Sequence, residues 1–174
     1  MMEPNRTDPA AQRTHLLALL QGFGVGMLTT TGLDGAPHAR PLAVAEVKDD
    51  GTVWFSTHAA SVKVEEIRTG NTVGVTFQSK TVYLAFAGKA TVVRDAARVA
   101  ALWSESWRSW YPAGPTDPHL VLLEVSLQTG EYWDLNGVSG FRFLFAAAKA
   151  LATGTPMGGG GPDQHGVVAL ESPA

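Results

Sequence analysis

"VGMLTTTGLDGAPHARPLAVAEVKDDGTVWFST", residues 25–57, decides the fold. Its first segment, VGMLTTT, is rich in β-branched residues and runs into the turn Gly32-Leu33-Asp34-Gly35. The chain returns as APHARPLAVAEV, turns again at Lys48-Asp49-Asp50-Gly51, and continues as TVWFST. Short loops between successive strands make an antiparallel meander. Pro37 and Pro41 require the middle strand to be an edge or to carry a bulge, because proline has no N–H to give to a ladder. Arg40, beside Pro41 among apolar neighbours, poses the functional question. Either its guanidinium caps the sheet from the solvent side, or it faces a ligand.

Upstream, PAAQRTHLLALLQGFG reads as a helix with Leu16, Leu17, Leu19 and Leu20 on its apolar side and Gly22 and Gly24 as its stop. Downstream, HAASVKVEEIRTG reads as a short helix ended by Gly70, with Val62, Val64 and Ile67 inward and Lys63, Glu65, Glu66 and Arg68 outward. TVGVTFQ and TVYLAFAGKATVV are strands about a QSK turn. DAARVAALWSESWRSW is a helix capped by Asp95, and YPAGPTDP is irregular. HLVLLEVSLQTGEYWDL is one long or two short strands. SGFRFLFAAAKALATG is a closing helix, TPMGGGGPDQ a linker, and HGVVAL an added strand or a tail. Strands linked mostly by hairpins, without alternating strand–helix units, exclude a doubly wound parallel sheet. The class expected is mainly β with helices (α+β), built as a small antiparallel barrel. The boundaries expected are a loose lead-in at 1–14, one domain at 15–152, and a Gly-rich linker and tail at 153–174.

The chain has 174 residues, of which 45% are hydrophobic and 17% charged, enough for one substantial core. A formal charge of −3 gives no reason to expect nucleic acid or an anionic membrane as partner. With no cysteine, a disulfide framework, a zinc–thiolate site and a cysteine nucleophile are excluded. The N-terminal stretch lacks an apolar signal core, and no apolar run reaches membrane-spanning length, so a cytoplasmic protein is expected. No Gly-x-Ser-x-Gly and no His-Glu-x-x-His occurs, and His15, His38, His58, His119 and His165 are scattered, so no metal site is expected. GKAT at 88–91 and GFGVG at 22–26 lack the spacing and context of phosphate and dinucleotide loops.

One constellation carries chemistry. Arg40-Pro41-Leu42 lies on the second strand, Trp54-Phe55-Ser56-Thr57 ends the third, and Ser61-x-Lys63 opens the short helix. A helix N-terminus offers unpaired N–H groups and partial positive charge to an anion. Ser61 adds a hydroxyl, Lys63 a full charge and Arg40 a planar fork. A phosphate group is the coherent ligand. The plain alternative is a helix cap at Ser61 and a solvated side chain at Lys63.

MLTTTGLDGAPHARPL, GTVWFSTHAASVKVEEI, TVGVTF, YLAFAGKATVVRD, LWSESWRSWYPAGPTDPHLVLLEV and EYWD, in that order, span roughly residues 15 to 135. In this order they resemble the pyridoxamine-phosphate-oxidase-like split-barrel flavoproteins, and most closely their general stress protein branch. The resemblance implies a homodimer holding flavin mononucleotide (FMN) at the subunit interface. It implies that Arg40, Pro41 and Leu42 supply phosphate and ring contacts, that Trp54 to Thr57 lie beside the ring largely through backbone groups, and that Ser61 and Lys63 bind the phosphate. Arg40 would then sit among apolar residues because its partner is a phosphate. Tyr83 falls where relatives place a Gln that reaches the partner's flavin, and Trp133 resembles an aromatic covering the flavin from the other subunit. Trp103, Trp107, Trp110 and Tyr111 read first as core and dimer packing, the alternative being that Trp110 and Tyr111 approach the flavin cavity across the interface.

The chain also departs from that pattern. Val62 stands where relatives carry an Arg or a small residue, and the Arg and His that grip pyridoxamine phosphate have no clean match, Arg142 being out of register. Oxidation of pyridoxamine phosphate is therefore not expected. The expected function is a small FMN-dependent oxidoreductase of unknown small-molecule substrate, with a role in stress response. The alternative is a non-catalytic flavin carrier or sensor, and a deazaflavin or haem is the alternative occupant.

Overall fold

The computed structural model describes residues 8–136, 149 and 165–170. Helix α1 (Pro9–Leu20) starts at Asp8, whose carboxylate accepts the Ala10 N–H, with proline in the first turn where no N–H is needed. The strands are β1 (Val25–Thr31), β2 (Pro37–Val47), β3 (Thr52–His58), β4 (Thr72–Gln78), β5 (Val82–Val93), β6 (Leu120–Asp134) and β7 (His165–Ala169). Helix α2 (Val62–Thr69) lies between β3 and β4, and α3 (Ala96–Leu102) follows β5. The sheet order is β3-β2-β1-β4-β5-β6-β7, and β3 also pairs with β6. That second pairing closes β1 to β6 into an antiparallel barrel and leaves β7 outside the closure.

β6 makes this possible by its length. One edge pairs with β5 along nearly the whole strand. The other pairs with β3 from Leu120 to Ser126 and with β7 from Thr129 to Trp133. The sequence left open whether residues 120–134 were one strand or two; they are one. His165–Ala169 joins the sheet as β7, so this part of the expected tail packs with the domain, and α1 begins ahead of the expected boundary at residue 15. Apart from Lys149, which is helical, the expected closing helix and the Gly-rich linker lie outside the described residues.

Alternation along the strands fills the barrel. Leu28, Phe55, Val75, Phe77, Leu84, Phe86, Leu123 and Val125 meet inside, and Leu16 and Leu20 of α1 add to the same core. Each such side chain contributes about 1.5–3 kcal/mol by leaving water. β3 is buried on both faces. Val53 and Phe55 point into the barrel, while Trp54 points out into a second core with Val99, Trp107, Tyr111, Leu120 and Leu122.

The stretch over that second core differs from expectation. The single helix expected over residues 95–110 stops at Leu102, and Glu105–Ser109 is a separate 3-10 turn. At the break the Trp103 indole donates to Glu105 Oε1 at 2.9 Å. The re-aimed chain puts Trp107 at 6% exposure and leaves Trp110 at 71%. YPAGPTDP holds one short 3-10 turn, pinned by Asp117, which accepts the His119 and Ala113 N–H groups.

Candidate functional site

β2 and β3 are partners only over part of their length. Val44 faces Phe55, Glu46 faces Trp54 and Val47 faces Val53, with a bulge between Val44 and Glu46. From Pro37 to Ala43, β2 pairs with β1 alone. From Ser56 to His58, β3 pairs with β6 alone. The two edges have parted, and a seam opens in the barrel wall. Val44 N–H points to Gly24 O on the β1 side at 2.9 Å. Strand alternation therefore turns the backbone nitrogens of Pro41 and Pro37 toward the seam, where no ladder partner exists. The prolines are thus tolerated in a strand that lies inside the sheet order, and both sequence options, edge and bulge, are realised at different points of β2.

Beyond His58 the chain turns, Ser61 N–H donating to His58 O at 3.0 Å, and α2 begins at the mouth of the seam. Ser61 occupies the N-cap position without making a cap hydrogen bond. Its Oγ is buried and has no partner among the described residues. Lys63 Nζ donates to Thr57 Oγ1 at 3.1 Å, joining α2 to the end of β3. Burial lowers the Lys63 pKa from its ordinary value, the nearby Arg40 charge adds to this, and Glu66 opposes it. One bank of the seam thus ends in an ammonium, a buried hydroxyl without a partner, a threonine hydroxyl and a helix N-terminus.

The other bank corrects the sequence reading. Arg40 has a protein partner: it donates to Glu66 Oε2 at 2.6 Å and to His38 O at 2.6 Å, and also to Thr30 Oγ1. Glu66 was expected to point outward and Val62 inward. Instead the Glu66 side chain is fully buried and Val62 is 66% exposed. The reason is charge: an arginine turned inward on β2 needs a carboxylate within reach. Thr30 donates to Glu66 Oε2 at 2.5 Å, and His38 Nδ1–H donates to Oε1 at 2.6 Å, since an ionised carboxylate only accepts. These bonds, Thr30's foremost, hold the Glu66 pKa down at about 2 against the opposing effect of burial. A Cβ at Gly32 would come within 2.6 Å of the His38 ring, so glycine there keeps room for this contact. Glu66 and Thr30 were missed; the available signal was an inward arginine with no acid yet assigned to it.

The remaining expected residues divide. Leu42 packs against the barrel core, and Pro41 sits on the outer face opposite Met27. Trp54 at 5% exposure and Phe55 at 0% are sealed in the two cores, and their stretch of β3 is paired on both edges, so neither offers its side chain to a ligand. Tyr111, close to Ser56, has its pKa raised chiefly by burial. Tyr83 and Trp133 are cross-strand neighbours, each 38% exposed, and Trp133 stacks on His165 with centroids 5.1 Å apart. β1 and β4 separate β2 from β5, which puts Tyr83 three strand spacings (about 14 Å) across the wall from Arg40 and a further three residues along it. Within one chain the two sets do not meet. A groove of about 560 Å³ lies elsewhere, between the far end of α2 and β5, lined by Arg68, Asn71, Val92 and Arg94 among others, and contains none of the expected residues.

Among the described residues no cluster could hold a metal ion, and no helix is long and apolar enough to cross a membrane. A six-strand antiparallel barrel with one unzipped strand pair, flanked by helices, is the split-barrel class of protein. Residues 11–157 match the family described as pyridoxamine 5'-phosphate oxidase like, and the chain belongs to it. Among solved structures it is similar to a general stress family protein from Xanthomonas campestris pv. campestris, at 29% identity and TM-score 0.64 over 76% of this chain and 92% of that one. It is also similar to the general stress FMN/FAD binding protein from Xanthomonas citri, at 29% identity and TM-score 0.61 over 72% and 89%. A general stress protein 26 from a Jannaschia species shares the fold at 24% identity and TM-score 0.69 over 91% and 99%. No curated protein matches the chain.

Proposed function

We propose that the chain binds FMN in the β2–β3 seam, with the phosphate on the α2 N-terminus between Ser61, Lys63 and Thr57. The observation that carries this reading is the buried Ser61 Oγ, which has no partner among the described residues and lies at a cationic helix start. A buried hydroxyl left unpaired is costly, and a phosphate oxygen satisfies it. The FMN/FAD binding named for the relative from Xanthomonas citri supports the same ligand. Arg40 adds charge from behind the cradle while tied to Glu66. The unpaired edge of Ser56–His58 offers backbone groups to the ring. Bound flavin would supply hydride or electron transfer, and the protein would supply grip and orientation. We read the chain as a flavin-dependent oxidoreductase with a role in stress response, acting on a small molecule.

The site reads as shared between two copies. The row Pro41, Met27, Thr76, Ala85 crosses adjacent strands on the outer face and meets its first charge at Glu131. Met27 is 41% exposed and Val25 56%. An uncharged sheet face of this kind is an interaction surface. A second copy seated there would bring its own Tyr83–Trp133 pair toward the seam, which one chain cannot do alone. Light scattering on the purified protein should give twice the chain mass; a monomer at micromolar concentration would rule this out.

The direct test is a visible spectrum and an FMN titration. The parent should be yellow and bind FMN more tightly than riboflavin. Lys63→Ala should weaken FMN by roughly tenfold or more, the usual value of a charge-assisted hydrogen bond, and leave riboflavin unchanged. Equal weakening of both ligands would remove the phosphate from this position. One observation favours the carrier reading: Arg40, His38 and Glu66 satisfy one another, so none of them is a free acid or base at the seam. Sustained oxidation of NADH or NADPH supports an enzyme, and a single stoichiometric reduction supports a carrier.

A further inference from the structure

We propose that Glu66 is the positioning residue of the phosphate cradle: its buried carboxylate locks α2 and Arg40 across the mouth of the seam and thereby sets the preference for a phosphorylated flavin. This rests on the reading above and adds to it a residue that touches no ligand.

Glu66 lies one helical turn beyond Lys63 on α2, the helix that carries the cradle. α2 emerges from β3, one bank of the seam. Every partner of the Glu66 carboxylate lies on β1 or β2, the other bank: Thr30 at 2.5 Å, His38 at 2.6 Å and Arg40 at 2.6 Å. One carboxylate therefore fixes the separation of two edges that no ladder joins. It also stands near both cations, since Arg40 and Glu66 act on Lys63 in opposite directions. Without it two positive groups would face each other over an empty cradle. The other charged group facing this cluster is Asp34, whose Oδ1 is 3.9 Å from His38 Nε2. The guanidinium is aimed from several sides, by Thr30, the His38 carbonyl and Glu66, and its other N–H groups have no protein acceptor among the described residues. Around the carboxylate itself both oxygens accept hydrogen bonds, and buried networks paired in this way hold geometry rigidly.

The competing role is a plain counter-ion that only cancels the Arg40 charge. The two roles predict opposite signs. Removing a plain counter-ion leaves extra positive charge and tightens FMN relative to riboflavin. Removing a positioning group loosens FMN relative to riboflavin.

The test measures Kd for FMN and for riboflavin by flavin fluorescence, at one ionic strength, in the parent, Lys63→Ala, Glu66→Gln and Thr30→Val. Thr30→Val keeps the ion pair and size but removes the hydroxyl bridging Arg40 and Glu66, so it decides the matter where Glu66→Gln does not fold. The expected result is a riboflavin-to-FMN Kd ratio reduced roughly tenfold in Lys63→Ala, and by about threefold or more in Glu66→Gln and Thr30→Val, with riboflavin binding unchanged. A general structural role would weaken both ligands together and leave the ratio constant. A ratio that falls in Lys63→Ala but is constant or raised in the other two overturns the role of Glu66 and keeps the cradle. A ratio unchanged in Lys63→Ala removes cradle and inference together.

Discussion

The two halves of the β2–β3 pair are built from the same two strands and do opposite things. At Val44–Val47 and Val53–Phe55 they are zipped, and β3 is buried on both faces. At Pro37–Ala43 and Ser56–His58 they have separated. The zipped half holds large apolar side chains, with the buried Trp54 indole N–H left without a partner among the described residues. The open half holds prolines on one bank, small polar residues on the other, and an ion-paired cluster in place of ladder bonds. A barrel can thus host a ligand without a cavity in its core: one strand pair is released over half its length, and a helix is set across the gap.

Substitutions in the two halves should separate accordingly. Phe55→Ala, in the zipped half, should cost about 3–5 kcal/mol by emptying a fully buried site, read as a fall in the urea midpoint. The Lys63→Ala variant at the open half should change the unfolding free energy by no more than about 0.5 kcal/mol in the same urea titration while losing FMN discrimination. A comparable stability loss in both would make the open half part of the scaffold.

Acid should act on the open half first. The Glu66 pKa is depressed from 4.5 to about 2, so its contribution to stability is complete above its ordinary value and is lost as pH falls from about 4.5 toward about 2. Melting temperatures over that range should fall more steeply in the parent than in Glu66→Gln, which has no proton to take up there. Parallel profiles would mean that the carboxylate is no better held in the fold than in the unfolded chain. The smallest effect is expected far from the seam. Arg108→Ala removes the exposed pairing of Arg108 with Glu105, at 2.7 Å, and should leave the melting temperature unchanged at moderate salt, because exposed ion pairs are screened.

Much of the fold was legible. β-branched runs with Gly-Leu-Asp-Gly and Lys-Asp-Asp-Gly turns placed the meander, and Ser61 and Asp95 marked helix starts that the structure uses. Ser61 and Lys63 were legible as a pair because their spacing is local to one helix turn. Glu66 was misread because apolar spacing assigns helix faces by hydrophobicity, and a buried ion pair breaks that rule. The break at Trp103–Ser104 was missed because tertiary burial of Trp107, and not helix propensity, decides where that segment bends.

The sequence by itself determined the strands, their turns, the helix starts and the presence of an arginine that needed a partner, since these depend on residues close along the chain. Tertiary structure alone decided that the partner is Glu66, that β2 and β3 separate after Phe55, and that Tyr83 and Trp133 stand apart from Arg40. Those outcomes depend on strand register and on which distant groups share a buried space, and neither is encoded in any local window of the chain.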